Sequence, residues 1–148
     1  MTSQKPIDLV QSFFIRLAGG DVDAALDGVD ENIVYTNVSL PAVRGKRRFA
    51  SLMRVLGGRI GFDVDLLAIS GDDNGVVLTE RIDELSVGRL HIRFWVCGRF
   101  EVTEGRITVW RDYFDYFDCT KAVLRGIAGV AVPSLNRSMN PMPRITAV

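Results

Sequence analysis

An arginine and an aspartate share one face of a predicted strand at residues 76–87. Arg81 and Asp83 lie two residues apart, and alternate side chains of a strand point the same way, so both are expected between the apolar neighbours Val77 and Leu85. Burying such charges costs free energy unless they are paired. By itself, an R-x-D pair on a strand is usually a surface ion pair.

A second carboxylate interrupts the apolar face of the predicted strand at residues 107–114, where Asp112 stands between two aromatic residues. The forked donors of a guanidinium can serve two carboxylates at once, so Arg81 could pair with both Asp83 and Asp112. Two carboxyls in different protonation states can deliver one proton and remove another, as general acid/base catalysis requires. The three residues therefore form a candidate acid/base site if their strands meet in the fold.

Other common chemistries find little support in the sequence. His91 is the single histidine and lies six residues from Cys97 on one predicted strand, about 20 Å away at the usual rise, so the two cannot form a dyad. We expect His91 at the surface or rim, and Cys97 and Cys119 as small core residues. The chain has no nucleophile elbow, phosphate-binding glycine loop or metal-ligand spacing, so no cofactor and no metal are expected.

The period of the apolar residues divides the chain into helices followed by strands. Predicted helices cover residues 6–18, 21–29, 49–56 and 122–132, the last of them apolar and packed. Predicted strands cover residues 33–37, 76–87, 90–102 and 107–114, and a further strand begins at residues 62–66, before a turn at 71–75. From 90 to 102 every even position is apolar except Gly98, which indicates one buried face.

Helices first and hairpin-connected strands afterwards predict an α+β fold with a mostly antiparallel sheet, because the crossover helices of a parallel sheet are missing. A strongly curved sheet closed by the N-terminal helices would enclose a pocket. We expect one domain over residues 1–132 and a loose tail over residues 133–148, which contains two prolines past residue 140.

Composition narrows the class of protein. The 148 residues carry 18 basic and 18 acidic side chains, so no net field favours nucleic acid as a partner. The apolar run at residues 122–132 is shorter than the ~20 residues that a membrane-spanning helix needs. Asp8 and Arg16 interrupt the apolar N-terminal segment, which argues against a signal peptide and favours a cytoplasmic location.

Three segments together are similar to a known family. In order and spacing, the chain resembles the limonene epoxide hydrolases from the first helix to about residue 124. The segments are VYTN at 34–37, LTERID at 78–83 and EGRITVWRDYFD at 104–115. The resemblance implies a cone-shaped fold, with a curved mixed sheet and helices around a deep apolar pocket, in a protein that is typically a homodimer.

The resemblance also implies a role for each of five residues. Asp112 is the base that activates a water molecule, and Tyr35 and Asn37 orient that water. Asp83 is the acid, and Arg81 lies between the two carboxyls. The implied reaction is one-step hydration of a lipophilic epoxide to a vicinal diol without a covalent intermediate.

Two other functions fit the same fold. A steroid isomerase or polyketide cyclase also places Tyr and Asp in an apolar cavity, and a domain of this fold can bind an apolar ligand without catalysis. An arginine between the two acids suits a shared proton better than an enolate site. A non-catalytic binding module would give no reason for the expected burial of three charged residues.

Overall fold

The computed structural model describes residues 4–143. The helices are α1 (Pro6–Ala18), α2 (Val22–Leu26), α3 (Lys46–Gly57) and α4 (Tyr116–Ala131), followed by a 3₁₀ turn at Pro133–Leu135. The strands are β1 (Val29–Asn37), β2 (Val43–Arg44), β3 (Gly61–Gly71), β4 (Val76–Val87), β5 (Leu90–Thr103) and β6 (Arg106–Phe114). Among the helices of residues 4–143, none is long and apolar enough to cross a membrane.

The six strands form one open, mixed sheet in the order β2-β1-β6-β5-β4-β3. Neighbouring strands are antiparallel except β1 and β6, which run parallel. The predicted α+β class and the mostly antiparallel sheet are confirmed. The parallel pair is decisive for the site, because it brings a strand from the N-terminal third of the chain beside the last strand.

Helix α1 covers one side of the sheet with its apolar face. Pro6 occupies the first turn, where backbone N–H groups have no partner within the helix, so the missing N–H of proline costs no hydrogen bond. Gly19 follows the last residue. Phe13 and Phe14 are buried and pack edge-on against the Trp110 ring of β6. The core therefore lies between α1 and the sheet face that carries Trp110.

Two predicted boundaries were wrong for identifiable reasons. Helix α2 was expected to reach Val29, but it ends at Leu26, because Val29 already pairs with Ile107 of β6. Helix α4 begins at Tyr116, six residues before the predicted start, because the Asp115 carboxylate accepts the backbone N–H groups of the first turn.

Helix α4 packs through its small residues and exposes its large ones. It lies beside the part of β5 that β6 does not cover, and a Cβ added at Gly126 would stand 2.5 Å from the His91 carbonyl oxygen. Leu124 and Ile127 are 62% and 60% exposed. The prediction of a packed helix is thus wrong for its large apolar side chains, because only small residues allow this close approach.

The segment expected to be a loose tail makes several contacts in its described part. Arg137 donates to the Asp118 carboxylate, and its carbonyl accepts a hydrogen bond from Arg93. Further along, the Met142 N–H donates to the Val64 carbonyl of edge strand β3 at 2.9 Å, and the Met142 side chain is buried. Residues 144–148 of this segment lie outside the described residues.

Asp118 joins α4, β5 and the tail. Its carboxylate accepts the Trp95 backbone N–H at 2.8 Å, a group on the stretch of β5 that β6 leaves uncovered, and it also pairs with Arg137. Burial by itself raises the pKa of Asp118, but the Trp95 N–H and the Arg137 guanidinium outweigh it and lower the pKa below its usual value. Ionised Asp118 therefore stabilises the fold.

We predict that Asp118→Ala lowers the free energy of unfolding by about 1–3 kcal/mol, because it leaves the part-buried Trp95 N–H unpaired and frees the Arg137 guanidinium. Urea unfolding measures the loss, and limited proteolysis should cut the tail faster. The difference in unfolding free energy between the variant and the wild type should narrow below about pH 4. There the Asp118 carboxyl takes up a proton in the unfolded chain first, and at lower pH in the folded protein too.

The matched control is Asp73→Ala, in the exposed turn between β3 and β4. Equal stability and equal protease resistance of Asp118→Ala and this control would contradict the assignment.

Candidate active site

The Arg81 guanidinium joins Asp83 and Asp112 in one buried cluster. Arg81 is 0% exposed, and the two aspartates are 4% and 2% exposed. Nε and Nη2 of Arg81 donate to the Asp83 oxygens at 2.9 and 2.8 Å, and Nη1 and Nη2 donate to the Asp112 oxygens at 3.1 and 2.9 Å. Both contacts are bidentate, so the fold brings together the three charged residues that the sequence singled out.

Strand β5 separates Arg81 from Asp112. Arg81 lies on β4 and Asp112 on β6, so their backbones are two strand spacings, roughly 10 Å, apart. The long arginine side chain crosses that interval along the buried sheet face. Whether Arg81 and Asp112 meet therefore depends on the order of the strands in the sheet. The spacing of residues in the sequence does not give that order.

All five N–H donors of Arg81 are used. Besides the four bonds to carboxylates, Nη1 donates to the Thr79 hydroxyl at 3.0 Å. The guanidinium carbon also lies 4.7 Å from the centre of the Phe14 ring. Complete pairing of this kind is what makes a fully buried charge tolerable.

Trp110 distinguishes the two oxygens of Asp112. Its indole Nε1 donates to Asp112 Oδ1 at 2.7 Å, and the same oxygen accepts from Arg81 Nη1. Within the described residues, Oδ2 accepts one hydrogen bond, from Arg81 Nη2. Oδ2 therefore keeps a lone pair with which it can take a proton.

Tyr35 and Asn37 lie beside the cluster because β1 runs parallel to β6. The register pairs Tyr35 with Trp110 and Asn37 with Asp112. The Tyr35 hydroxyl donates to Asn37 Oδ1 at 3.0 Å, so the two candidate water-orienting groups are bonded to each other. All five residues predicted for the site are thus adjacent.

The pKa values follow from burial and from the neighbouring charges. Burial raises the pKa of the Asp112 carboxyl above its usual range, against the opposing charge of Arg81. Burial and then the Asp112 charge raise the pKa of Tyr35, which stays a proton donor. Burial alone would lower the pKa of Arg81, but Asp112 and Asp83 raise it, so Arg81 is a permanent cation.

A cavity of about 190 Å³ opens onto the carboxylates. Its polar lining residues are Tyr35, Asn37, Asp83 and Asp112, with Trp110 beside them. Its apolar walls are Leu52, Leu56, Phe62, Leu85, Phe94 and Phe114. Arg81 is not among the lining residues, which places the cation behind the two acids. Wider surface hollows of about 310 and 480 Å³ do not include the cluster.

Sequence reasoning missed two residues whose side chains hydrogen-bond to the cluster. Thr79 and Trp110 stand on the same strand faces as Arg81 and Asp112, and that shared face was the available signal. Neither residue type indicates a hydrogen bond to a charged group by itself, because Thr and Trp are ordinary packing residues of strands.

The residues set aside in the sequence stay apart from the cavity lining. The His91 ring is 35% exposed with Nδ1 3.2 Å from Glu84, in agreement with a surface or rim position. Cys97 and Cys119 are half-buried and free, so the prediction that both are core residues was wrong. Cys97 stands on the β5 face opposite Gly98, and Cys119 on the surface helix α4. Across residues 4–143, no group of three or more His, Cys, Asp or Glu side chains is placed to hold a metal ion.

Chemically, the site offers two carboxyls around one fixed cation at the end of an apolar cavity. Both acids are buried and share the single positive charge of Arg81. One carboxyl can then remove a proton while the other supplies one. Such a site suits a reaction in which water adds across a polar bond of an apolar molecule.

Known proteins are similar to this chain in sequence and in fold. The family model that describes the limonene-1,2-epoxide hydrolase catalytic domain matches residues 4–125 of the sequence. Epoxide hydrolase EphG of Mycobacterium tuberculosis (strain ATCC 25618 / H37Rv) is 46% identical over 130 residues, covering 88% of this chain and 87% of that protein.

Solved structures agree with the sequence matches. An LEH-like epoxide hydrolase from M. tuberculosis superposes with a TM-score of 0.85 at 45% identity, covering 90% of this chain and 95% of that one. A putative polyketide cyclase from Xanthomonas campestris pv. campestris, at 20% identity, has a TM-score of 0.72 over 83% of this chain and 99% of its own, and it shares the fold alone. The chain therefore belongs to the limonene-1,2-epoxide hydrolase family.

Proposed function

We propose that this protein hydrates a lipophilic epoxide in one step and releases a vicinal diol. Epoxide hydrolysis as the type of reaction follows from the family to which the chain belongs. The mechanism rests on one observation, the bidentate contact of a buried Arg81 with two carboxyls that face an apolar cavity. No metal or cofactor enters the proposed reaction.

In the proposed mechanism, Asp112 is the base. A water molecule gives one proton to Asp112 Oδ2, the oxygen with a spare lone pair, and its oxygen attacks an epoxide carbon. The second proton of the water is held by Asn37 Oδ1, and the Tyr35 hydroxyl donates to the water. Water must therefore replace the Tyr35 to Asn37 hydrogen bond when it enters.

Asp83 is the proposed acid. As the epoxide C–O bond breaks, the leaving oxygen takes the proton of the Asp83 carboxyl and becomes the second hydroxyl of the diol. Arg81 holds both carboxyls and permits one to stay protonated while the other is ionised. Each proton transfer typically accelerates such a reaction by about 10²- to 10⁴-fold.

The walls of the cavity support an apolar substrate. Leucine and phenylalanine side chains surround the carboxyls, and such a surface favours hydrocarbon over a hydrated polar molecule. An epoxide bears one weak acceptor, which matches the single acid on offer. We propose a terpene, sterol or fatty acid epoxide as the class of substrate.

The rival functions are less well supported. An isomerase of the ketosteroid type uses a tyrosine and a protonated aspartate as donors to an enolate oxygen. Here a guanidinium lies between the two acids and contacts both, which suits a shared proton better than an enolate site. A non-catalytic binding module would need no buried charged cluster at the end of its cavity.

We also propose that the protein is a homodimer. Support comes from the family resemblance and from α4, where the neighbouring side chains of Leu124 and Ile127 are exposed on one face. Exposed apolar patches of this kind mark interaction surfaces. The cytoplasmic location expected from the N-terminal sequence stays a prediction.

We predict that Asp83→Asn and Asp112→Asn each lower kcat by at least about 10²-fold, because an amide neither gives nor takes the required proton. Diol formation from a panel of terpene, sterol and fatty acid epoxides measures the loss, and circular dichroism checks the fold. Glu80→Gln is the matched control, since it changes an acid to an amide on the exposed face of β4. Substantial turnover by either aspartate variant would refute the assignment.

A single turnover in heavy-oxygen water, with enzyme in excess, separates direct hydration from a route through an ester. Direct attack puts one labelled oxygen into the diol during the first turnover, and the protein stays unlabelled. An unlabelled first diol, with the label in Asp83 or Asp112, would show a covalent intermediate and overturn the one-step mechanism.

Light scattering after size exclusion should give twice the mass of one chain. The double variant Leu124→Glu with Ile127→Glu should give a single chain, because charges on α4 cannot be buried against a second copy. Val87→Glu, an equally exposed apolar position at the β4 to β5 turn, is the control and should stay dimeric. A dimer that persists in the double variant would contradict the use of this surface.

A further inference from the structure

Gly98 interrupts the apolar face of β5 at the place where the ion pair crosses that strand. In the sheet register, Gly98 stands opposite Thr79 on β4 and opposite Asp112 on β6. The Arg81 to Asp112 contact therefore passes over the backbone of Gly98. The single break in the apolar alternation of β5 coincides with the crossing point of the cluster.

A side chain at position 98 would collide with three polar atoms of the cluster. A Cβ built there lies 2.4 Å from Arg81 Nη1, 2.8 Å from Asp112 Oδ1 and 2.8 Å from Thr79 Oγ1. All three distances are shorter than van der Waals contact permits. None of these atoms moves freely, because Nη1 is hydrogen-bonded to both of the other two.

Backbone conformation does not explain this glycine. Gly98 is absent from the glycines with positive φ among residues 4–143, so an alanine could adopt its backbone angles. Glycine in the interior of a strand weakens the strand and often marks a close approach of other atoms. What Gly98 supplies at this position is space.

We propose that Gly98 is a positioning residue for the hydration reaction, providing the gap through which Arg81 spans β5 to hold Asp112. This inference rests on the proposed function for its effect on catalysis. Any side chain at position 98 pushes the guanidinium away from Asp112, and the base then loses two of its three hydrogen bonds and the neighbouring cation.

The loss of the cation changes when the base is ionised. Asp112 faces Arg81 and Asp83 from β4, Tyr35 and Asn37 from β1, and Trp110 on its own strand. Among these, Arg81 is the positive charge, and a cation at hydrogen-bond distance typically favours the ionised carboxylate by about 1–3 pKa units. Without it, Asp83 and burial hold Asp112 protonated to a higher pH.

The test is Gly98→Ala, with kcat/KM measured against pH on an epoxide that the wild type converts. We expect a fall of about 10²-fold or more near neutral pH, as a small misplacement of catalytic groups produces, and an upward shift of the acidic limb by about one pH unit or more. The control is Cys97→Val, which adds bulk to the next residue of β5 on the opposite face, and it should keep both the rate and the profile. Unchanged activity and an unchanged profile in Gly98→Ala would overturn the proposal.

A readout without substrate separates this inference from the proposed function. Carbon-13 NMR of the labelled Asp112 carboxyl should show a titration midpoint that rises in Gly98→Ala relative to wild type. Equal midpoints overturn the role of Gly98 even if the protein proves to be no hydrolase, whereas a wild type that makes no diol counts against the proposed function alone.

If Gly98→Ala yields no folded protein, Arg81→Lys is added to it. Lysine lacks Nη1, the atom nearest to the new methyl group, so the added alanine should cost little folded yield beyond what Arg81→Lys alone costs. If Arg81→Lys folds alone and the double variant does not, position 98 is constrained by something other than Arg81, and the inference is overturned.

Discussion

The buried guanidinium of Arg81 is the interaction on which the site depends. A full charge in the core is tolerable because each of its five N–H groups has an acceptor, on Asp83, Asp112 or Thr79. The two acids are in turn tolerable because Arg81 lies between them. Removing any one of these groups would leave another buried and unpaired, so the cluster behaves as a unit.

The sheet is arranged so that this unit can form. Strand β5 separates the two halves of the cluster, and Gly98 keeps the crossing free of side chains. The parallel pairing of β1 with β6 adds Tyr35 and Asn37 to the same end of the cavity. Strands β1, β4 and β6 are separated in the chain, and each therefore supplies side chains to one small polar site. The apolar core around α1 fixes these strands in place.

Several features of the structure favour chemistry over stability. Asp112 is buried against the preference of a carboxylate for water, and a glycine occupies the middle of the longest strand. These features are offset elsewhere, by the aromatic packing around Trp110 and by Asp118, which ties α4 and the tail to β5.

Sequence by itself determined the faces of the strands, since a period of two assigns each side chain to one side. It placed Arg81 with Asp83 and put Asp112 on an apolar face, and the family resemblance supplied Tyr35, Asn37 and the type of reaction. Only the tertiary structure decided that these faces meet, because strand order depends on contacts between residues far apart in the chain. For the same reason, the residue pattern did not predict the hydrogen bond from Trp110 to Asp112 or the space at Gly98. It also did not predict the contacts of the tail or the exposure of the large apolar side chains of α4.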